Sequence, residues 1–154
     1  MKRRLVVVSA SSRIIGPDSG EVQAIERYDG VFIRIVRKSI REGYLNQRDV
    51  LIVSPVLGLV RGLDPIPLHK PIEGTWHEPR LDRHKLENMN ESALRLLKKL
   101  IDSGEYSEVY VNVGTRLYPI IAGIDRLNCR LVYAKGRGLG PKAADMKAWL
   151  YSKN

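Results

Sequence analysis

The chain has 154 residues, 26 Lys plus Arg against 17 Asp plus Glu, and 44% apolar residues, which fits one globular domain spanning 1–154 and able to bury its own core. The formal net charge of +9 favours an acidic partner, nucleic acid first. One cysteine, Cys129, excludes a disulfide framework and a Cys-rich zinc module, and it suits the reducing cytoplasm.

The opening apolar run Leu5-Val6-Val7-Val8 is too short for a signal-peptide core or a membrane span, so no membrane association is expected. It ends in Ser9-Ala10-Ser11-Ser12-Arg13, the pattern of a parallel strand covered on both faces that opens into a polar loop. Across residues 21–42 the apolar positions Ala24, Ile25, Val31, Phe32, Ile35, Val36 and Ile40 keep helical spacing, with a break at Asp29-Gly30 and a stop at Gly43. A second strand, Val50-Leu51-Ile52-Val53, ends at Ser54. Residues 55–79 then hold five of the eight prolines and read as a loop.

Leu86, Met89, Ala93, Leu96, Leu97, Leu100 and Ile101 follow the helical period up to Ser103-Gly104, which predicts the clearest helix of the chain. A third strand over 108–113 stops at Gly114-Thr115, and a short helix is expected over 118–126. A fourth strand over 130–134 leads to Gly136-Arg137-Gly138-Leu139-Gly140-Pro141 and a last helix through Trp149. Four strands alternating with helices predict a three-layer α/β/α domain with a four-stranded parallel sheet in the order 2-1-3-4.

In such a sheet ligands bind beyond the carboxyl ends of the strands, near the point where strand order reverses. That rule selects residues 9–13 after the first strand, 54–59 after the second, 114–118 after the third and 135–140 after the fourth, with Ser9, Ser11, Ser12, Arg13, Ser54, Gly58 and Gly114 as the candidate ligand contacts. The hydroxyls and the guanidinium can donate to a carbonyl, a phosphate or a base edge; equally, serines in a turn satisfy backbone groups. Gly58 suits either a close ligand or a tight turn. Trp76, in the loop Ile72-Glu73-Gly74-Thr75-Trp76-His77-Glu78, could stack on a base or cover the edge of the core. His69, His77 and His84 lack the spacing of a helical metal pair, so neither a metal nor a cofactor is expected.

Charge is unevenly spread. Residues 1–48 carry 10 basic and 5 acidic groups, residues 49–125 carry 9 and 11, and residues 126–154 carry 7 and 1. On the first long helix Arg34, Arg37, Lys38 and Arg41 form one stripe, and Lys135, Arg137 and Lys142 flank the glycines before the last helix. A basic stripe is commonly a solvated face. If the two helices share one side of the sheet, however, the clusters would merge into a surface suited to phosphates. The glycines resemble an anion-binding turn but lack the downstream acidic residue of a dinucleotide site.

The run Val6-Val7-Val8-Ser9-Ala10-Ser11-Ser12-Arg13, then Val50-Leu51-Ile52-Val53-Ser54-Pro55-Val56-Leu57-Gly58-Leu59-Val60, then Pro71-Ile72-Glu73-Gly74-Thr75-Trp76 resembles a domain of the archaeosine synthase family. That family carries a strand ending in a Cys-Ser-Ala-Arg-Lys type motif, a Ser-Pro-Leu-Gly-Leu-Val motif and a Val-Thr-Gly-His-Trp type segment. Ser9 stands at the family's cysteine, and Arg13 is the basic residue nearest to its lysine. A looser similarity is to YaaA-like domains. The resemblance implies a uracil-DNA-glycosylase-like fold and a role in tRNA modification.

Two functions follow as expectations. One is a nucleic-acid or nucleobase-binding domain, taking RNA or DNA and working with a partner enzyme. The other is a small enzyme acting on a nucleoside or nucleotide as an N-glycosidic hydrolase or transferase, with Asp64, Glu73, His77 or Glu78 as general base and a pocket bordered by Ser11, Gly58 and Trp76. A structural subunit without a ligand is the third reading.

Overall fold

Continuous β-branched runs form the centre of the sheet, because a strand covered on both faces has no polar side to show. The computed structural model describes residues 2–11, 14–15, 20–67 and 82–152. Strand β1 (Arg3–Ser9) is followed by the short β2 (Glu21–Gln23), the single turn α1 (Ala24–Arg27) and α2 (Val31–Arg41). Next come β3 (Val50–Ser54), β4 (Gly58–Arg61) and β5 (Pro65–Pro67). The second half contains α3 (Arg83–Asn88), α4 (Asn90–Asp102), β6 (Tyr106–Asn112), β7 (Arg130–Tyr133) and α5 (Leu139–Leu150).

The main sheet has five strands in the order β4-β3-β1-β6-β7, and β2 and β5 form a separate antiparallel pair. Strands β3, β1, β6 and β7 run parallel to one another, whereas β4 pairs with β3 antiparallel. The expectation of a wholly parallel, four-stranded sheet is therefore corrected to a mixed, five-stranded one. The reason is local. Ser54 Oγ accepts from Val56 N at 3.2 Å and Leu57 N at 3.1 Å, and Gly58 takes φ +78°, a turn that folds the chain back along β3.

Side chains alternate across the pleat and split the core into two layers. Val6, Val8, Val50, Ile52 and Tyr110 face α1, α2 and α5, where Ile25, Ile33, Val36, Met146 and Leu150 are buried. Leu5, Val7, Leu51, Val53, Val109 and Val111 face the other way, onto Leu86, Ala93, Leu97, Ile101, Ile120 and Ile124. Helices thus pack on both faces. Each fully buried Leu or Val contributes about 1.5–3 kcal/mol, so Leu97→Ala is expected to cost about 2–5 kcal/mol.

Two helix expectations are corrected. The helix from Leu86 to Ile101 is broken at Met89 into α3 and α4, which keep one apolar face. The stretch 118–126 forms two 3-10 turns, Tyr118–Ile120 and Ile124–Arg126, parted by Gly123 at φ +98°. Among the described residues no helix is long and apolar enough to cross a membrane.

Candidate nucleic-acid interface

Strand order reverses between β1 and β6, and their carboxyl ends meet there. Ser9 Oγ accepts from Gly114 N at 3.0 Å, while the Gly114 carbonyl accepts from Leu117 N and Tyr118 N and starts the next turn. Ser9 and Gly114 are thus brought together. Ser11 lies beside α2: a Cβ at Gly30 would come within 2.5 Å of the Ser11 Cβ, so Gly30 is the residue that lets the loop and helix approach.

The other residues after β3 serve the fold. Ser54 is fully buried and also accepts from the Tyr28 hydroxyl at 3.2 Å. Gly58 faces Met89 of the opposite layer, 3.5 Å from where its Cβ would stand. Ser11 therefore sits on the α2 side and Gly58 on the α3–α4 side, which corrects the pocket expected between them. Asp64 is corrected too. Antiparallel β4 returns the chain to the amino edge, where Gly62 N donates to the Val50 carbonyl, and Asp64 Oδ2 accepts from Arg61 N at 2.9 Å. Ser12, Arg13, His69, Glu73, Trp76, His77 and Glu78 lie outside the described residues.

Beyond β6 there is a cavity of about 430 Å³ lined by Arg83, Val113, Thr115, Tyr118, Pro119, Ala122 and Lys142. The Tyr118 and Tyr133 hydroxyls lie 3.2 Å apart at this edge. Partial burial, and then the bond with Tyr118, push the Tyr133 phenol up. Large apolar residues are exposed at the same end of the sheet: Val31, Val56, Leu57, Tyr133 and Leu139.

The glycine loop that leads into α5 sits next to this cavity. Gly136 and Gly138 take φ +115° and +81°, and a Cβ at Gly136 would approach Pro141 Cβ to 2.6 Å. Asp145 Oδ2 holds the loop by accepting from Lys135 N at 3.1 Å and from the Tyr110 hydroxyl at 2.7 Å. Burial, and then that carboxylate, push the Tyr110 phenol up. Lys135, Arg137 and Lys142 make no ion pair among the described residues. Lys135 and Arg137 are exposed and Lys142 is half-exposed.

The α2 stripe is different. Arg34 grips Asp29 with two bonds of 2.8 Å, and Arg37 donates to Asp29 Oδ1 at 2.8 Å and to the Tyr28 and Ile25 carbonyls at 2.7 and 3.2 Å. Hydrogen bonds from Arg34 and then Arg37 hold the Asp29 carboxyl well below the usual carboxylate range. Lys38 lies 3.9 Å from Glu42, and Arg41 remains exposed. Arg37 is only 15% exposed, so the expectation of a fully solvated stripe is corrected. Helices α2 and α5 do pack side by side on one face.

Thr115 and Tyr118 fall within the exit of the third strand that the sequence selects, whereas Arg83, Tyr110 and Asp145 carry no such signal, since no local spacing links Lys135 to Asp145. Among the described residues no group of His, Cys, Asp and Glu is arranged to hold a metal ion.

No family model matches the chain, and no curated protein matches it. Among solved structures, the crystal structure of AF0587, a protein of unknown function, resembles it with a TM-score of 0.51 at 14% sequence identity. The likeness covers 99% of this chain and 46% of that one, so this chain spans about half the length of AF0587. At this identity the likeness concerns the fold.

Proposed function

We propose that the chain is a nucleic-acid-binding domain that takes single-stranded RNA at the carboxyl edge of its sheet. On this reading it is a uracil-DNA-glycosylase-like, three-layer domain of archaeosine synthase type, working in tRNA modification in the cytoplasm beside a separate enzyme. The observation that carries the reading is the trio Lys135, Arg137 and Lys142, without ion pairs among the described residues, the first two on a glycine loop held by Asp145 and the third in the first turn of α5 on the lining of the Tyr118 cavity. Phosphates supply the charge these groups lack, and a base of a single strand can enter a cavity bordered by an aromatic ring. Among the described residues the cavity lining has cations, hydroxyls and a ring but no carboxylate or imidazole, which favours binding over general-base catalysis at that place.

The test is a fluorescence-anisotropy titration of the protein with a single-stranded oligoribonucleotide over a range of salt concentrations. Affinity is expected to fall steeply with salt. Reversal of Lys135, Arg137 and Lys142 to Glu should weaken binding by more than about tenfold and flatten the log–log salt slope by about 2, since each lost phosphate contact removes about 0.7. Binding that ignores both salt and the triple reversal would sink the proposal, and equal affinity for duplex DNA would remove its single-strand part.

A further inference from the structure

A second cavity lies at the other end of the sheet. It is a broad groove of about 1010 Å³ at the amino edge, with Lys2, Arg3, Arg4, Tyr44, Arg48 and Asp49 in its lining. Four cations thus share one carboxylate. That carboxylate is taken: Asp49 is buried, 3.0 Å from Arg3 Nε, and accepts from the Tyr106 hydroxyl at 2.9 Å. Arg3 also pairs with Glu105 outside the groove.

Arg4 is held in a different way. It donates to the Trp149 and Leu150 carbonyls at 2.7 and 3.1 Å and lies 4.2 Å from the centre of the Trp149 ring. Its charge therefore caps the carboxyl end of α5, and no carboxylate is in direct contact with it among the described residues. Lys2 and Arg48 are exposed and make no ion pair among the described residues. The groove keeps a surplus of positive charge at a concave surface, where field lines concentrate.

An aromatic face stands on its rim. Tyr44 is 45% exposed, and its ring is fixed edge-on by Tyr151, with centroids 4.6 Å apart at 70°. A ring held in this manner loses little freedom when a base stacks on it. Tyr151 also lines a smaller groove between α2 and α5 together with Lys38 and Lys147. The Tyr44–Tyr151 contact joins the two grooves. Both helices run from the carboxyl edge to the amino edge, since Gly30 adjoins Ser11 at one end and Trp149 adjoins Arg4 at the other. Eleven residues of α2 cover roughly 16 Å at 1.5 Å per residue.

We infer that the amino-edge groove is a second contact for the same single-stranded RNA, reached from the glycine loop along the α2–α5 face, with Tyr44 as a stacking platform and Lys2, Arg48 and Lys147 on phosphates. This rests on the RNA reading of the carboxyl edge. It adds a length requirement, because a short oligomer bound at the glycine loop does not reach Tyr44.

The test compares a uridine dinucleotide, too short to cover the roughly 16 Å of α2, with an oligouridylate of roughly twelve nucleotides, within the span of single-strand sites, on the full chain. The long oligomer is expected to bind at least tenfold tighter. Lys2→Glu with Arg48→Glu should weaken the long oligomer by roughly tenfold and the short one less than twofold. Tyr44→Ala should act in the same direction and Tyr44→Phe should restore binding, since the ring does the stacking. Equal affinity for the two lengths, or a long oligomer indifferent to the double reversal, overturns the inference while the carboxyl-edge reading stands. Loss of the length effect on adding polyglutamate as readily as on adding RNA would assign the groove to an acidic peptide instead. A wild-type protein that binds neither oligomer overturns both.

Discussion

Two basic clusters on the same face of the sheet have different fates. On α2, Arg34 and Arg37 converge on Asp29, and Lys38 lies near Glu42. Around the start of α5, Lys135, Arg137 and Lys142 meet no carboxylate side chain among the described residues, and Asp145 is engaged by the Lys135 backbone N–H and the Tyr110 hydroxyl. The first cluster joins α1 to α2; the second faces solvent. Positive charge becomes available to a polyanion only where the fold leaves it without a partner, so a net charge of +9 says little until the pairs are drawn.

The sharpest way to break this contrast is Arg37→Ala. Arg37 is half-sequestered and satisfies two carbonyls at the end of α1 as well as Asp29. Its removal takes away the Arg37 hydrogen bonds to both carbonyls and to Asp29, at a cost of about 2–3 kcal/mol, visible as a lower midpoint in urea unfolding. RNA affinity of the folded fraction should change less than twofold. A large loss of affinity with an unchanged midpoint would mean that Arg37 belongs to the binding surface after all.

Asp29→Asn sharpens the same comparison from the acid side. A carboxyl whose folded pKa is depressed stabilises the protein above its unfolded value of about 3.9, and that contribution disappears as pH falls through the folded value. The wild type should therefore lose the Asp29 contribution progressively as pH falls below about 3.9, until it is gone below the depressed folded value. The variant should be less stable at pH 7 and should lack that part of the acid transition in a circular-dichroism titration. It should also bind RNA somewhat more tightly, because Arg34 is released. Identical acid transitions would show that the Arg34–Asp29 grip contributes nothing in solution.

The contrast explains which features were readable in advance. β1 and β3 announce themselves as β-branched runs with no polar face and β6 and β7 as shorter apolar stretches, and the break at Asp29-Gly30 follows from residue type. β4 was hidden, since Gly58-Leu59-Val60-Arg61 follows a proline-containing turn and becomes a strand only through pairing with β3. That one hairpin also moved Asp64 to the far edge. The stripe on α2 was visible as a helical period, but its pairing with Asp29 depends on how α1 meets α2, and helical spacing within α2 carries no record of that corner. Asp145 is ten residues from Lys135, and only the packing of α5 under β7 brings them together.

At the glycine loop the test is Gly136→Ala. The backbone there has φ +115°, and the added methyl would collide with Pro141 at 2.6 Å. Strain of about 1–2 kcal/mol should displace Lys135 and Arg137 and weaken RNA binding several-fold, while thermal stability falls slightly. Gly140→Ala is the matched control, since nothing stands within 4 Å of its Cβ. Equal effects of the two substitutions would show that the shape of the loop is irrelevant to binding.

The smallest effect is expected on the solvated rim of the stripe. Lys38 and Glu42 are 63% and 43% exposed at a separation of 3.9 Å, so water screens their attraction and two long side chains resist being fixed. Such pairs contribute about 0.3–0.5 kcal/mol at most. Lys38→Gln should leave the unfolding midpoint nearly unchanged and lower RNA affinity less than twofold, against the more than tenfold of the glycine-loop reversal. Equal losses at Lys38 and Lys142, measured in the same salt, would show that a partnered and an unpartnered lysine serve the polyanion alike and would remove the basis for distinguishing the two clusters.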